Sequence, residues 1–211
     1  MGSRPMPLIL TDAALTQVVE ALVAIEPRFN EVLRLVAPTL RRQERGFATL
    51  LWAIVGQQVS VASAEAVWAR LVAADMHDPA NIRAASAETL GALGLTRQKQ
   101  RYAKALADSG IDFNALDEMP DNEALARLVE VTGIGRWTAE IYLMFALGRP
   151  DVIAAGDLAM QAAAQELFAL ETRPTEKEFR AMSEAWSPWR AVAGRLLWDY
   201  YLRDRTKGDQ R

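Results

Sequence analysis

The sequence predicts an all-α fold. Apolar residues recur with a period near 3.6 along almost the whole chain, period-2 alternation is nearly absent, and prolines, glycines and capping side chains punctuate the periodic stretches. With 211 residues, 51% of them hydrophobic, the chain is long enough for one sizeable core or for two small lobes sharing one.

Residues 12–25 and 29–36 read as the first two helices, punctuated by Pro27 and Pro38. Phe47, Leu50, Leu51, Ile54 and Val55 then trace the i, i+3, i+4, i+7, i+8 stripe of a buried helix that stops near Gly56. Val61, Val67, Trp68 and Leu71 continue on a second helix with Ser60 as its N-cap, and the polar stretch GQQVS separates the two. SAETLGALGL is a short helix stopped by Gly94, and TRQKQRYAKALADSG is a helix capped by Thr96 and ended at Gly110. Residues 122–131 form another, followed at once by Gly133-Ile134-Gly135. The next runs from about 136 to 147, where Gly148 and Pro150 mark a stop. Asp157 precedes the helical LAMQAAAQELFAL, Thr175 to Glu178 is a capping box, and Ser187-Pro188 supplies an N-cap and a proline at N1 for a last helix through WRAVAGRLLWDYYLR. About ten helices with short connections, and no repeat or low-complexity segment, predict one compact bundle without separable domains.

Composition excludes several functions. No cysteine is present, so disulfides, thiolate nucleophiles, cysteine-held zinc and iron-sulfur clusters are out. The single histidine, His77, sits in the loop-like ADMHDPANI without a histidine partner, which removes a His-rich metal site. No apolar run approaches the roughly 18 residues of a membrane span, and no signal-peptide pattern opens the chain, so a soluble protein is expected, cytoplasmic in a bacterium or nuclear in a eukaryote. Met1-Gly2-Ser3 has the look of a vector remnant and is set aside. The net charge of -3 argues against a protein that coats a polyanion, and any phosphate-binding face must be concentrated.

Two features carry chemistry. The glycines flanking Ile134 permit a tight hairpin between helices, because glycine tolerates dihedrals and close approaches that side chains forbid. The helix that starts after them offers backbone N–H groups and a positive dipole end, an anion site suited to phosphate. The plainer reading is a helix–helix turn with Ile134 plugging the core. Asp157, twenty residues beyond Trp137, reads either as a helix N-cap or as a carboxylate placed for catalysis.

LVEVTGIGRWTAEIYLMFAL resembles the helix-hairpin-helix of the DNA glycosylase superfamily, whose hairpin grips the DNA backbone and whose catalytic aspartate lies beyond the second helix, where this chain has Asp157. LLWAIVGQQVSVASAEAVWARL is similar to that family's helix pair with its Gln-bearing turn, GLTRQKQRYAKALA to its GLS..K..Y...LA segment, and WSPWRAVAGRLLWDYY to the C-terminal helix of the DNA-3-methyladenine glycosylase II, or AlkA-like, branch. The resemblance covers roughly residues 47–201. It implies a single domain, 1–211, in the form of a two-lobed helical bundle with a cleft. The N-terminal helices and the C-terminal helix lie in one lobe and residues from about 45 to 150 in the other. The portion before Arg42 is too short for the extra β-rich domain of some relatives.

The resemblance also implies roles. Strand-cleaving relatives carry a nucleophilic lysine where this chain has Trp137, and an indole forms no Schiff base, so a monofunctional enzyme is expected. Trp137 and Trp198 become walls of the base pocket, with Ile141 and Tyr142 near the position where relatives often place another aromatic. Gln58 becomes the wedge that fills the gap left by a flipped base, with Gln57 beside it. Gly133, Ile134, Gly135, Arg136, Thr138 and Lys99 become DNA contacts. The backbone carbonyls of Val129, Val131 and Ile134 match positions that hold Na+ or K+ in this superfamily, and no cofactor is required. Thr132 replaces a usual proline and Ala191 a usual serine, and Arg190 is given a structural role. The expected activity is excision of N3- or N7-alkylated purines, such as 3-methyladenine and 7-methylguanine, from double-stranded DNA by a monomer. Two other readings compete: a helix-hairpin-helix DNA-binding module without catalysis, and an all-α protein unrelated to DNA. Asp157 and Trp137 favour the enzyme, since a binding module needs only the hairpin.

Overall fold

The computed structural model describes residues 8–203, and Met1-Gly2-Ser3 lies outside them. Among the described residues every regular element is helical. The chain divides into two compact units: the continuous stretch Gln43–Tyr142, and the residues up to Arg42 joined with those from Leu143 onward.

The continuous unit holds α3 (Phe47–Gly56), α4 (Val61–Ala73), α5 (Pro79–Ala84), α6 (Ala87–Ala92), α7 (Arg97–Asp108), α8 (Ala115–Glu118), α9 (Asp121–Val129) and most of α10 (Arg136–Phe145). Four of its helices start where short polar side chains accept orphan backbone N–H groups: Ser60 from Ser63, Asp78 from Ala80, Ser86 from Thr89 and Thr96 from Lys99. α7 is central, packed against α3, α5 and α6. Leu50, Leu51, Ile54, Leu71, Ile82, Leu90, Leu106 and Leu128 fill the core. α5 and α8 were not expected from the sequence. They are too short to show a period, although Asp78-Pro79 is a start signal of the usual kind.

The other unit holds α1 (Asp12–Ile25), α2 (Phe29–Leu35), the end of α10, α11 (Leu158–Leu167), α12 (Glu176–Ser183), a 3-10 turn (Glu184–Trp186) and α13 (Arg190–Leu202). α13 packs against α1, α2 and α11 and is buried over most of its surface. A Cβ on Gly194 would lie 2.9 Å from Met144 Cε and 3.3 Å from Met160 Sδ, so the missing side chain lets α13 close on its neighbours. Phe29, Phe168, Phe179 and Trp186 form an aromatic cluster with centroid separations of 5.5 to 6.0 Å.

One helix holds both places where the chain leaves this unit and returns to it. The buried Arg195 guanidinium donates to the carbonyls of Leu40 and Met144 and lies 4.3 Å from the Phe145 ring centroid. Burial pushes its pKa down to about 10, against an opposing pull from Asp199. One turn later, Asp199 accepts the Thr39 N–H at 2.8 Å and the Arg41 Nη2 at 2.6 Å.

Several helix ends depart from expectation: α9 stops at Val129 and α11 at Leu167, each short of the periodic stretch, and two others have a visible cause. α10 ends at Phe145, two residues early, because the Arg149 N–H returns to the Leu143 carbonyl at 2.9 Å across Gly148, whose φ of +68° closes the turn. α13 starts at Arg190 with Trp189 as its N-cap, so Ser187-Pro188 is not its cap and first residue. The Ser187 hydroxyl donates instead to Asp151 at 2.9 Å, and the Trp189 carbonyl accepts from Val192 and Ala193. The capping box at Thr175 and Glu178 is formed as expected.

Candidate functional site

α3 gives out at Gly56 and the chain turns through an extended Gln57 and a left-handed Gln58, φ +58°, before Ser60 opens α4. Two side chains hold this turn. Lys99 of α7 donates its Nζ to the Val55 carbonyl at 2.7 Å, at the helix end where the dipole favours a cation. Burial pushes its ammonium below the ordinary lysine range. Gln57 donates its Nε2 to the Gly133 carbonyl at 3.0 Å, which joins the turn to the glycine hairpin. Gln58 itself is exposed.

The hairpin follows α9. The Ile134 N–H closes it on the Val131 carbonyl at 2.9 Å, the Ile134 side chain is buried, and the Gly135 carbonyl accepts from Ala139 to open α10. Gly133 has a φ of +99°, and a Cβ there would lie 2.3 Å from Tyr102 Cγ. That position therefore admits only glycine on both dihedral and steric grounds. Gly135 differs, for a Cβ there meets nothing within 4 Å. Gln57, Gln58, Lys99, Val129, Val131, Gly133, Ile134 and Gly135 all line one open cavity of about 750 Å³, together with Thr96, Arg97, Gln98, Tyr102 and Thr132. No carboxylate lines it.

The remaining predicted residues fall in different places. Arg136 is half exposed and donates its Nε to Glu140 at 2.9 Å. Trp137 is 43% exposed, unusual for an indole in a well-packed helix. Thr138, drawn from the resemblance as a DNA contact, is only 5% exposed, so its hydroxyl is not offered to a surface phosphate; the helical period that exposes Trp137 turns it inward. Ile141 is buried, and Tyr142, 1% exposed, is a core residue: its ring meets Phe113 at 6.3 Å and its hydroxyl accepts the Gly46 N–H at 2.8 Å. Burial pushes the Tyr142 hydroxyl above the ordinary tyrosine range.

Asp157 and Trp198 belong to the other unit. Val152 to Ala155 form a buried apolar approach to Asp157, anchored by the Gln161 Nε2, which donates to the Ala155 carbonyl at 2.7 Å. Asp157 is the N-cap of α11: its Oδ1 accepts from Ala159 at 2.9 Å and Met160 at 3.0 Å, so the carboxylate is fixed at the positive end of a helix. Trp198 lies 5.3 Å from Phe145 and 5.8 Å from the Arg41 guanidinium. Arg190 takes the structural role given to it, donating to Asp151 at 2.8 and 3.0 Å and to Glu184 at 2.9 Å.

Sequence reasoning missed Tyr102, whose ring fills the space beside Gly133 and whose hydroxyl pairs with Gln98 at 2.6 Å. It lies in a segment that carries the resemblance, but only tertiary packing brings it to the hairpin.

Comparison with known proteins bears on the same residues. The family model described as HhH-GPD superfamily base excision DNA repair protein matches residues 51–189. The DNA-3-methyladenine glycosylase 1 of Schizosaccharomyces pombe is 30% identical over 171 residues, 76% of this chain and 75% of that protein. Among solved structures, an S. pombe 3-methyladenine DNA glycosylase in complex with abasic DNA aligns with a TM-score of 0.73 at 26% identity, covering 86% of this chain and 95% of that one. A DNA-3-methyladenine glycosidase from Bacillus halodurans aligns at 0.76 and 30% identity, covering 87% and 88%. Some relatives are longer, and the chain spans 43% of a Bacillus subtilis one.

Proposed function

The chain belongs to the HhH-GPD superfamily of base excision DNA repair proteins, and on that premise we propose that it is a monofunctional glycosylase that flips N3- or N7-alkylated purines out of double-stranded DNA and hydrolyses their glycosidic bond. The observation that carries this reading is Asp157, a carboxylate fixed as a helix N-cap beyond a glycine hairpin whose cavity contains no acid.

The chemistry needs little more. An alkylated purine is cationic and leaves readily, so the enzyme's task is to stabilise the oxocarbenium-like sugar and guide water to it, which the Asp157 carboxylate does electrostatically. The exposed Trp137 offers an electron-rich face to the cationic base, worth about 0.5 to 2 kcal/mol by cation–π attraction, and Trp198 offers a second. The hairpin N–H groups hold phosphate, and Gln58, exposed on a turn braced by Gln57 and Lys99, fills the vacated stack. The oxygen donors of Val129, Val131 and Ile134 suit a hard monovalent cation. Val131 keeps a second lone pair beyond the one its carbonyl gives Ile134, and bound Na+ or K+ would add positive charge beside the phosphate.

The test is release of 3-methyladenine and 7-methylguanine from methylated duplex DNA. Asn retains the capping oxygen, so Asp157→Asn is expected to fold normally and to lose on the order of 10²-fold or more in excision rate. A mutant as active as the wild type overturns the mechanism. Borohydride is expected to trap no covalent enzyme–DNA adduct, because position 137 supplies no amine.

A further inference from the structure

We propose that Arg97 and Arg101 of α7 form a second phosphate-binding track, one that continues the hairpin's hold along the DNA backbone. This rests on the reading of the chain as a DNA glycosylase. Three observations lead to it. First, almost every basic head group in Gln43–Tyr142 is engaged with a carboxylate or carbonyl, as Arg45 is with Asp117, Lys99 with Val55 and Arg136 with Glu140; among the described residues Arg97 and Arg101 are the two that are not. Both are exposed.

Second, Arg97 lines two cavities. One is the hairpin cavity, with Gly133 and Gly135, and the other, of about 300 Å³, is shared with Arg101 and Lys104 on the next face of the helix. Neither lining contains an Asp or Glu, in a chain that has 27 of them. Acids have been kept off one continuous surface that begins at the hairpin. Third, a protein with a net charge of -3 places Arg97, Lys99, Arg101 and Lys104 on this one helix, against a single acid, Asp108. Residues four apart share a helix face with Cβ atoms about 5 to 6 Å apart, so two long guanidinium side chains reach neighbouring phosphates of one strand.

The ligand is duplex phosphate, without regard to base or damage. The track therefore contributes to binding and searching and not to the excision step, and its energy is that of counterion release. Each phosphate contact adds about 0.9 to the slope of log affinity against log salt, so Arg97→Gln with Arg101→Gln is expected to lower the slope by about 1.8 on an undamaged duplex. Over a fourfold rise in KCl the wild type then loses about 12-fold more affinity than the double variant. Arg34→Gln with Arg173→Gln, which removes the same charge from exposed positions of the other unit, is the control.

An unchanged slope in the Arg97/Arg101 variant overturns the track, and so does an equal fall in the control, which would show that only net charge matters. If the wild type itself binds duplex with no salt dependence, the reading of the chain as a DNA enzyme fails first.

Discussion

Gly133 and Gly135 stand two residues apart and meet different surroundings. Gly133 is held by its left-handed backbone and by the Tyr102 ring, so alanine there must displace the ring or the hairpin. Gly133→Ala is expected to cost about 1 to 3 kcal/mol in urea unfolding. Gly135 has open space where a Cβ would stand. Gly135→Ala is expected to cost less than about 1 kcal/mol, the scale of a change at a helix start, while still weakening duplex binding measured by anisotropy. A stability loss at Gly135 as large as at Gly133 would contradict this division. The sequence treats the two glycines alike, because the difference lies in a tyrosine more than thirty positions earlier.

At the level of elements, Tyr142 ties α10 to the start of α3, since its hydroxyl accepts the N–H of Gly46, the residue that precedes α3. Burial raises its folded pKa, so the sign is fixed. Below the ordinary tyrosine value of about 10 both states keep the proton and the contact is fully present; above it the unfolded chain ionises first and stability falls. Tyr142→Phe is expected to lose about 1 kcal/mol at pH 7 and to show a smaller fall between pH 9 and 11, measured by urea unfolding. Most helices were legible from period and caps: α1 keeps its expected bounds, and Ser60, Thr96, Asp157 and Thr175 all cap as their spacing suggested. α5 and α8 were not: like the six-residue α6 they complete too few turns to display a period, but α6 was marked by its Gly94 stop. Ser187 misled because a serine–proline pair signals a cap only when its hydroxyl is free, and Asp151, 36 positions away, takes it. Of the candidate site, the hairpin, Asp157 and the Gln57-Gln58 turn were readable as motifs. The burial of Thr138 and Tyr142 depends on which way α10 is turned, and that is decided by packing.

For the molecule as a whole, α13 is the helix on which one unit depends. Asp199 is buried and accepts from the Thr39 N–H and the Arg41 guanidinium, so its removal takes that acceptor from both. Asp199→Ala is expected to cost about 2 kcal/mol in denaturant unfolding, less than for a fully buried pair because Arg41 stays partly exposed. Leu40 finds its guanidinium partner 155 residues downstream, and α1 and α2 pack on the same late helix, whereas Gln43–Tyr142 is one continuous stretch that forms a compact unit. As a chain emerges from the ribosome, that inner stretch is therefore complete before α13 exists, and in refolding long loops close last. Pulsed hydrogen exchange is expected to protect the amides of α3 and α7 before those of α1, and the reverse order would refute it. α1 and α2, made before that inner stretch, are buried after it.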